Sequence, residues 1–327
     1  KLAGEYADEL ANLGVRVSNL EKKVGNIYWS GDARMRYQDN AIDAADGWNG
    51  RMRINVKGQV NDSTYVQGQL TSNMDFKSNK DDETKVTFTQ LFANHDFGTA
   101  ATVRLGRQPI AFGDQGGWLY GDSNGYDGAQ VAFHLGKKVD VTTGYGRFNA
   151  SDLDAVKTAD AFFARGAADI NVANVGVDYI KFVGDKADGD YAGNELIGAN
   201  LTIPVSDFRV FGEYWKNTTY ENGNDTAWNA GIGYGKLNLK KPGSFAIDVA
   251  YNDVDEGVYF GGTGLQTDAL KYLTKHDATN VTFWNAMADV TLQKNVFLHG
   301  EYAFDVSADN ADMNDKDAWT VSLNYKF

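Results

Sequence analysis

Arginine occupies the positions from which this chain could act on another molecule. Arg34 and Arg36 sit two residues apart, as do Arg51 and Arg53, and Arg104 and Arg107 follow further along. A guanidinium is neither nucleophile nor general base; it offers fixed positive charge and a fork of donors that suits carboxylate and phosphate. The carboxylates placed to face these groups are Asp114, Asp122 and Asp127, in or just after a Gly-rich connector at 109–126. Basic and acidic walls across a gap would set up a transverse field that orients dipolar solutes and selects ions. The plainer alternative is a solvated polar surface with ordinary counter-charges.

Other chemistry is thinly supplied. The 327 residues include no Cys, which removes disulfides, zinc ribbons, thiol catalysis and iron–sulfur ligation. His95, His134, His276 and His299 have no neighbouring Ser or Cys in the pattern of an activated nucleophile. Asp309, Asp312, Asp315 and Asp317 crowd one connector and Asp185, Asp188 and Asp190 another, yet the Gly and closing Glu of an EF-hand are missing. Among 44 acidic residues no spacing singles out a pair for glycoside hydrolysis. We therefore expect no enzyme, no cofactor and no metal site. A net charge of −13 argues against nucleic acid, whose binding rests on Lys and Arg meeting phosphates.

The elements that would position the arginines follow from periodicity. No apolar stretch approaches the roughly 20 residues of a transmembrane helix, and mean hydropathy is −0.44. From Ile27 onward the period is two: Met52, Ile54, Val56 and Val60 alternate with Arg51, Arg53, Asn55, Lys57 and Gln59. The pattern recurs at Ala129–Leu135, Ile197–Ile203, Phe245–Tyr251, Val296–Phe304 and Trp319–Phe327. These runs extend over roughly 10–13 residues, longer than the strands of a sandwich and equal to tilted membrane strands. Short connectors at 61–63, 98–100, 136–138, 204–207, 240–243 and 293–295 alternate with long ones at 39–49, 77–84, 109–126, 183–191, 217–225, 255–278 and 307–316. An up-and-down barrel produces that alternation. Strand directions agree from both ends only if 150–182 holds two strands, which we place at 160–165 and 170–182 around a turn at 166–169. The expected fold is all-β, an antiparallel transmembrane barrel of about 16 strands spanning 27–327. Alternation then turns Arg34, Arg36, Arg51, Arg53, Lys57 and Arg104 inward, with Arg107 just beyond its strand. Tyr28, Trp29, Trp215 and Trp284, near strand ends, are expected in interfacial girdles.

Residues 1–26 differ. Leu10, Val17 and Val24 alternate with Tyr6, Leu13 and Leu20 at the 3.5-residue spacing of a coiled-coil seam, with Arg16 and Glu21 at flanking charged positions. A short amphipathic helix lying on its own domain is the other reading. As a stalk this segment would reach roughly 36 Å at 1.5 Å per residue, and a trimer suits the seam. The chain opens without Met or a signal peptide, so processing or truncation before Lys1 is expected.

Three stretches carry a family resemblance. Trp319–Phe327, alternating and ending on an aromatic, resembles the last strand of outer-membrane barrels. Val103-Arg104-Leu105-Gly106-Arg107-Gln108-Pro109 followed by a long Gly/Asp connector resembles the strand and inward-folded third loop of general trimeric porins. A stalk running straight into Tyr28-Trp29-Ser30-Gly31-Asp32-Ala33-Arg34 resembles the OmpM-type porins of diderm Firmicutes, in which an S-layer-homology domain and a coiled coil precede the barrel. The resemblance implies a homotrimeric passive diffusion channel for small hydrophilic solutes and ions, set in outer-membrane lipid with its stalk in the periplasm. It also implies a link to the cell wall through a domain upstream of Lys1. By position it places Arg51 or Arg53 and Arg107 opposite Asp114 and Asp122 at a constriction. The alternative is a structural tether between outer membrane and peptidoglycan, with incidental conductance.

Overall fold

The structure, a computed structural model, describes residues 9, 25–42, 47–77, 86–113, 117–148, 160–184, 191–312 and 314–327. A strand with one apolar face satisfies its backbone only by pairing along both edges, and sixteen strands here do so in a closed antiparallel ring. They are β1 (Ile27–Asp39), β2 (Gly47–Asn61), β3 (Thr64–Asp75), β4 (Val86–Phe97), β5 (Ala101–Ala111), β6 (Gly121–Leu135), β7 (Val139–Phe148) and β8 (Asp160–Asp169). The second half comprises β9 (Asn174–Val183), β10 (Glu195–Val205), β11 (Phe208–Asn217), β12 (Thr226–Gly235), β13 (Phe245–Asp255), β14 (Asn280–Gln293), β15 (Val296–Asp309) and β16 (Ala318–Lys326). Each strand pairs with its sequence neighbours, and β1 closes on β16 from Asp32↔Lys326 to Asp39↔Trp319. A single helical turn, α1 (Lys271–Lys275), lies in the β13–β14 connector.

Alternation holds on the wall. Met52, Leu91, Leu105, Ile197, Tyr214, Ile247 and Val321 are exposed on the outside, while Asp32, Gln69, Asn94, Asn200, Asn229 and Ser322 are buried facing in. Short connectors such as 206–207 and 294–295 lie at one end, and Ser206 and Asn295 turn there at φ 57° and 64°. Asn26, just before β1, and Phe327, just after β16, lie at that same end. The β12–β13 connector, 236–244, is the long exception on that side.

Three expectations need adjusting. The turn expected at 166–169 is strand: β8 runs on to Asp169 and the chain turns at 170–173. The small residues Gly166, Ala167 and Ala168 read as a turn but pair with Val177, Gly176 and Val175. The connector expected over 109–126 shrinks to 112–120, because Ile110 and Ala111 pair with Asp122 and Gly121. Trp215 belongs to no girdle: it is fully buried inside the barrel, while its neighbour Tyr214 faces out. Of the expected stalk, Leu10, Leu13, Val17, Leu20 and Val24 lie outside the described residues.

The core is unusual in position. Phe112, Trp118, Leu119 and Tyr120 of the β5–β6 connector and Val258, Tyr259, Phe260, Leu270 and Tyr272 of the β13–β14 connector are buried. They pack on Phe148, Phe163, Ile180, Phe182, Leu196 and Trp215, which point inward near the long-connector ends of β7 to β11. Apolar burial therefore fills one side of the barrel mouth, leaving the polar inner wall of β1 to β5 to line the other.

Candidate constriction site

The basic wall is built by register. Arg34 lies directly opposite Arg51, and Asp32 opposite Arg53, across the β1–β2 ladder. Directly opposed residues share a face, so four guanidinium groups converge on one patch of the inner wall. Asp32 is their carboxylate: Arg53 Nε donates to its two oxygens at 3.1 and 3.0 Å, Arg51 Nη2 lies at 3.5 Å, and Lys326 Nζ approaches to 3.7 Å. Arg34 is 9% exposed and donates from Nη1 to the Gln266 amide oxygen at 2.6 Å. Arg36 reaches the same oxygen at 3.5 Å and Asn49 Oδ1 at 3.3 Å. Further round, Arg104 donates to Asn94 Oδ1 at 2.8 Å with its guanidinium 5.4 Å above the Phe92 ring.

The element facing this wall is the β13–β14 connector. Glu301, buried on β15, accepts from the backbone N–H of Gln266 at 3.1 and 3.0 Å and from Thr267 N–H and Oγ1 at 3.2 and 3.1 Å. Asp268 accepts from Ala41 and Ile42 N–H at 2.8 and 3.0 Å. These charge-assisted bonds, each worth about 1.5–3 kcal/mol, hold the connector across the lumen. His299 sits beneath, its Nδ1 3.0 Å from Asp289 and its Nε2 3.6 Å from Glu301.

The β5–β6 connector folds inward as well. Arg165 donates to the carbonyls of Ala111 and Gly113 at 2.8 and 2.5 Å, and Gly113 N–H donates to Asp178 at 3.3 Å. Gly113 turns at φ 73°, and a Cβ there would fall 2.0 Å from the Glu213 carboxylate. Only glycine fits that approach. The two connectors are then bound to each other through Gly121 N–H to Gly262 O at 2.5 Å, Gly264 N–H to Gly117 O at 2.8 Å and Thr263 Oγ1 to Trp118 O at 2.5 Å. Tyr120 stacks on Phe260 at 4.2 Å and donates its hydroxyl to Val258 O. Burial pushes the Tyr120 phenol well above its usual range, so it stays protonated and a donor.

The expected residues thus divide. Arg36, Arg51, Arg53 and Arg104 face the lumen. Arg107 and Asp127 do not: Arg107 pairs in register with Leu91, which is 56% exposed on the outer face, and binds Asp127 through two bonds of 2.7 Å. Asp127 in turn opposes Arg147, which pairs with Asp160 at 3.0 Å, a row of charges on the outside of the wall. Asp114 lies outside the described residues, as does the Asp122 side chain; the Asp122 backbone pairs with Ile110. Asp32, Gln266 and Glu301 were not anticipated. Asp32 shares the even spacing of Arg34 and Arg36, and Glu301 alternates with the outward Tyr302, so both were readable. Nothing in the sequence singles out Gln266. Among the described residues no group of three His, Cys, Asp or Glu converges as a metal site. Asp312 instead contacts His276 at 2.6 Å, and Asp317 accepts from Tyr302 at 2.8 Å.

No protein-family model matches the sequence, and no curated protein does. Solved structures match its shape. A porin of Rhodopseudomonas blastica, in a triple variant, aligns at a TM-score of 0.59 and 12% identity over 92% of this chain and 100% of that one. Another variant of the same porin gives 0.57 and 13%. A chain solved under the heading of asymmetric conductivity of engineered proteins gives 0.56 and 13%, again over 92% and 100%. At such identity the likeness is one of fold: a closed 16-strand antiparallel barrel of the porin type.

Proposed function

We propose that this chain is an outer-membrane porin, a passive water-filled channel for small hydrophilic solutes and ions whose narrow point is lined by the β1–β2 arginines together with the β13–β14 connector seated on them. One observation carries the reading: the wall is apolar outside and polar inside over a closed ring of strands. A closed barrel is the one sheet architecture whose backbone is fully paired in lipid, and a polar interior is what water requires. The porin fold of the structural neighbours supports it. The selectivity residues in this reading are Arg36, Arg51, Arg53 and Arg104, together with Arg34, the counter-charge being Asp32 and Glu301. The channel does no catalysis and needs no cofactor.

The heptad pattern of 1–26 favours the fuller version of this reading, in which an OmpM-type stalk joins three barrels and, through an upstream domain, the cell wall. Planar-bilayer recording of the purified chain tests the channel: ohmic single-channel steps, in groups of three for a trimer, are expected, and their absence would sink the reading. The same preparation without 1–26 should lose trimer yield. Equal yield would remove the stalk from assembly.

A further inference from the structure

Among the described residues, the β1–β2 patch holds more positive charge than the carboxylates around it neutralise. Arg51, Arg53 and Lys326 contact one carboxylate, Asp32, with Arg34 opposite Arg51 and Arg36 next along the same face of β1. The other carboxylate within reach, Glu301, is occupied by the N–H groups of Gln266 and Thr267. Arg34 meets only a neutral amide oxygen, and the buried Nε donors of Arg34 and Arg51 find no acceptor among the described residues. Buried guanidinium groups with unmet donors are costly unless an anion completes them, and their fork geometry matches two oxygens of one group. Gln266 caps the patch from the β13–β14 connector, its amide oxygen shared between Arg34 and Arg36.

We propose that Arg34, Arg36, Arg51 and Arg53 form a saturable binding site for a multiply charged oxyanion, phosphate or a small phosphate-bearing solute, closed on one side by Gln266. The site rests on the channel reading for its biological use but not for its chemistry. An anion entering displaces the Gln266 oxygen from Arg34 and takes up the idle Nε donors. A singly charged carboxylate fills fewer of these donors and binds less tightly. The patch therefore does more than bias diffusion: it gives one class of solute a resting place in the lumen.

The test is calorimetric titration of the detergent-solubilised full chain with inorganic phosphate, alongside Arg34→Gln and Gln266→Glu. Arg34→Gln removes one charged donor set. Gln266→Glu keeps the side-chain shape and puts a carboxylate where the amide oxygen already binds, so it occupies the arginines without removing any. Wild type should show one saturable phosphate site, weakened about tenfold or more in each variant. No saturation in wild type, or equal affinity in all three proteins, overturns the proposal. Conductance of the same samples separates the two readings. A protein that conducts but does not bind phosphate keeps the channel and loses the site; one that binds but does not conduct keeps the site and loses the channel.

Discussion

Arg104 and Arg107 are three residues apart, and that odd offset decides their fates. On an unbroken strand they must face opposite ways, and β5 is unbroken to Ala111. Arg107 is expected just beyond the strand, but β5 runs on through it, and Pro109 sits at a register shift rather than ending the strand. Asp127, expected just after the connector, lies well within β6 and has the parity of Ala129, Val131 and Phe133, the apolar outer set. Where no such break was assumed, as at Arg34, Arg36, Arg51 and Arg53, period-two reading found the inner face. Replacing Arg51 and Arg53 together by Ser should shift ion selectivity toward cations, since two fixed positive charges leave the wall and Asp32 loses both of its guanidinium partners. Replacing Arg107 by Ser should leave selectivity unchanged. Reversal potentials in a salt gradient measure both, and a shift of equal size in the two variants would mean that the facing assigned by register is wrong.

At the scale of elements, the inward connector expected from sequence is joined, among the described residues, by a second. The longer, 256–279, reaches the arginine wall and carries the cap, whereas Phe112, Trp118, Leu119 and Tyr120 of the other pack on the aromatic side away from it. The signal was present in composition: Val258, Tyr259, Phe260, Leu265, Leu270, Tyr272 and Leu273 are too apolar for a stretch in water. What no periodicity can reveal is which partner buries them, because that depends on strand register across the barrel. The seat is divided between polar and apolar terms. Glu301→Ala removes the acceptor of Gln266 N–H, Thr267 N–H and Thr267 Oγ1, while the Tyr120–Phe260 stack remains. The connector should then loosen near Gln266 but stay anchored at Phe260, raising mean conductance and open-channel noise. Current traces identical to wild type would mean that the Asp268 bonds and the aromatic cluster seat the connector without Glu301.

For the whole molecule, a composition that resembles a soluble acidic protein is reconciled with a membrane wall by where each half of it goes. Apolar side chains are spread thinly over the outside, polar ones line the inside, and carboxylates crowd the long connectors, as at Asp309, Asp312, Asp315 and Asp317. Neither face alone would stabilise a sheet in lipid; closure does, because it leaves no unpaired edge. The ladder that joins the first strand to the last is β1 with β16, extended by Gly31 N–H to Phe327 O at 2.7 Å and Phe327 N–H to Gly31 O at 3.0 Å. A Cβ at Gly31 would meet the Phe327 ring at 2.6 Å, so the ring packs against the Gly31 backbone at this seam. Deleting 318–327 would expose the edges of β1 and β15 together and remove Lys326 from Asp32. Such a chain should fail to close rather than close with fifteen strands, since an odd number would bring β1 and β15 together in parallel. The expected result in detergent is a wild-type band that migrates differently unheated and boiled, with the truncated chain showing only the boiled position. A truncated chain that still shifts on heating would mean that the strands hold together without the β1–β16 ladder, and that closure is not what stabilises the wall.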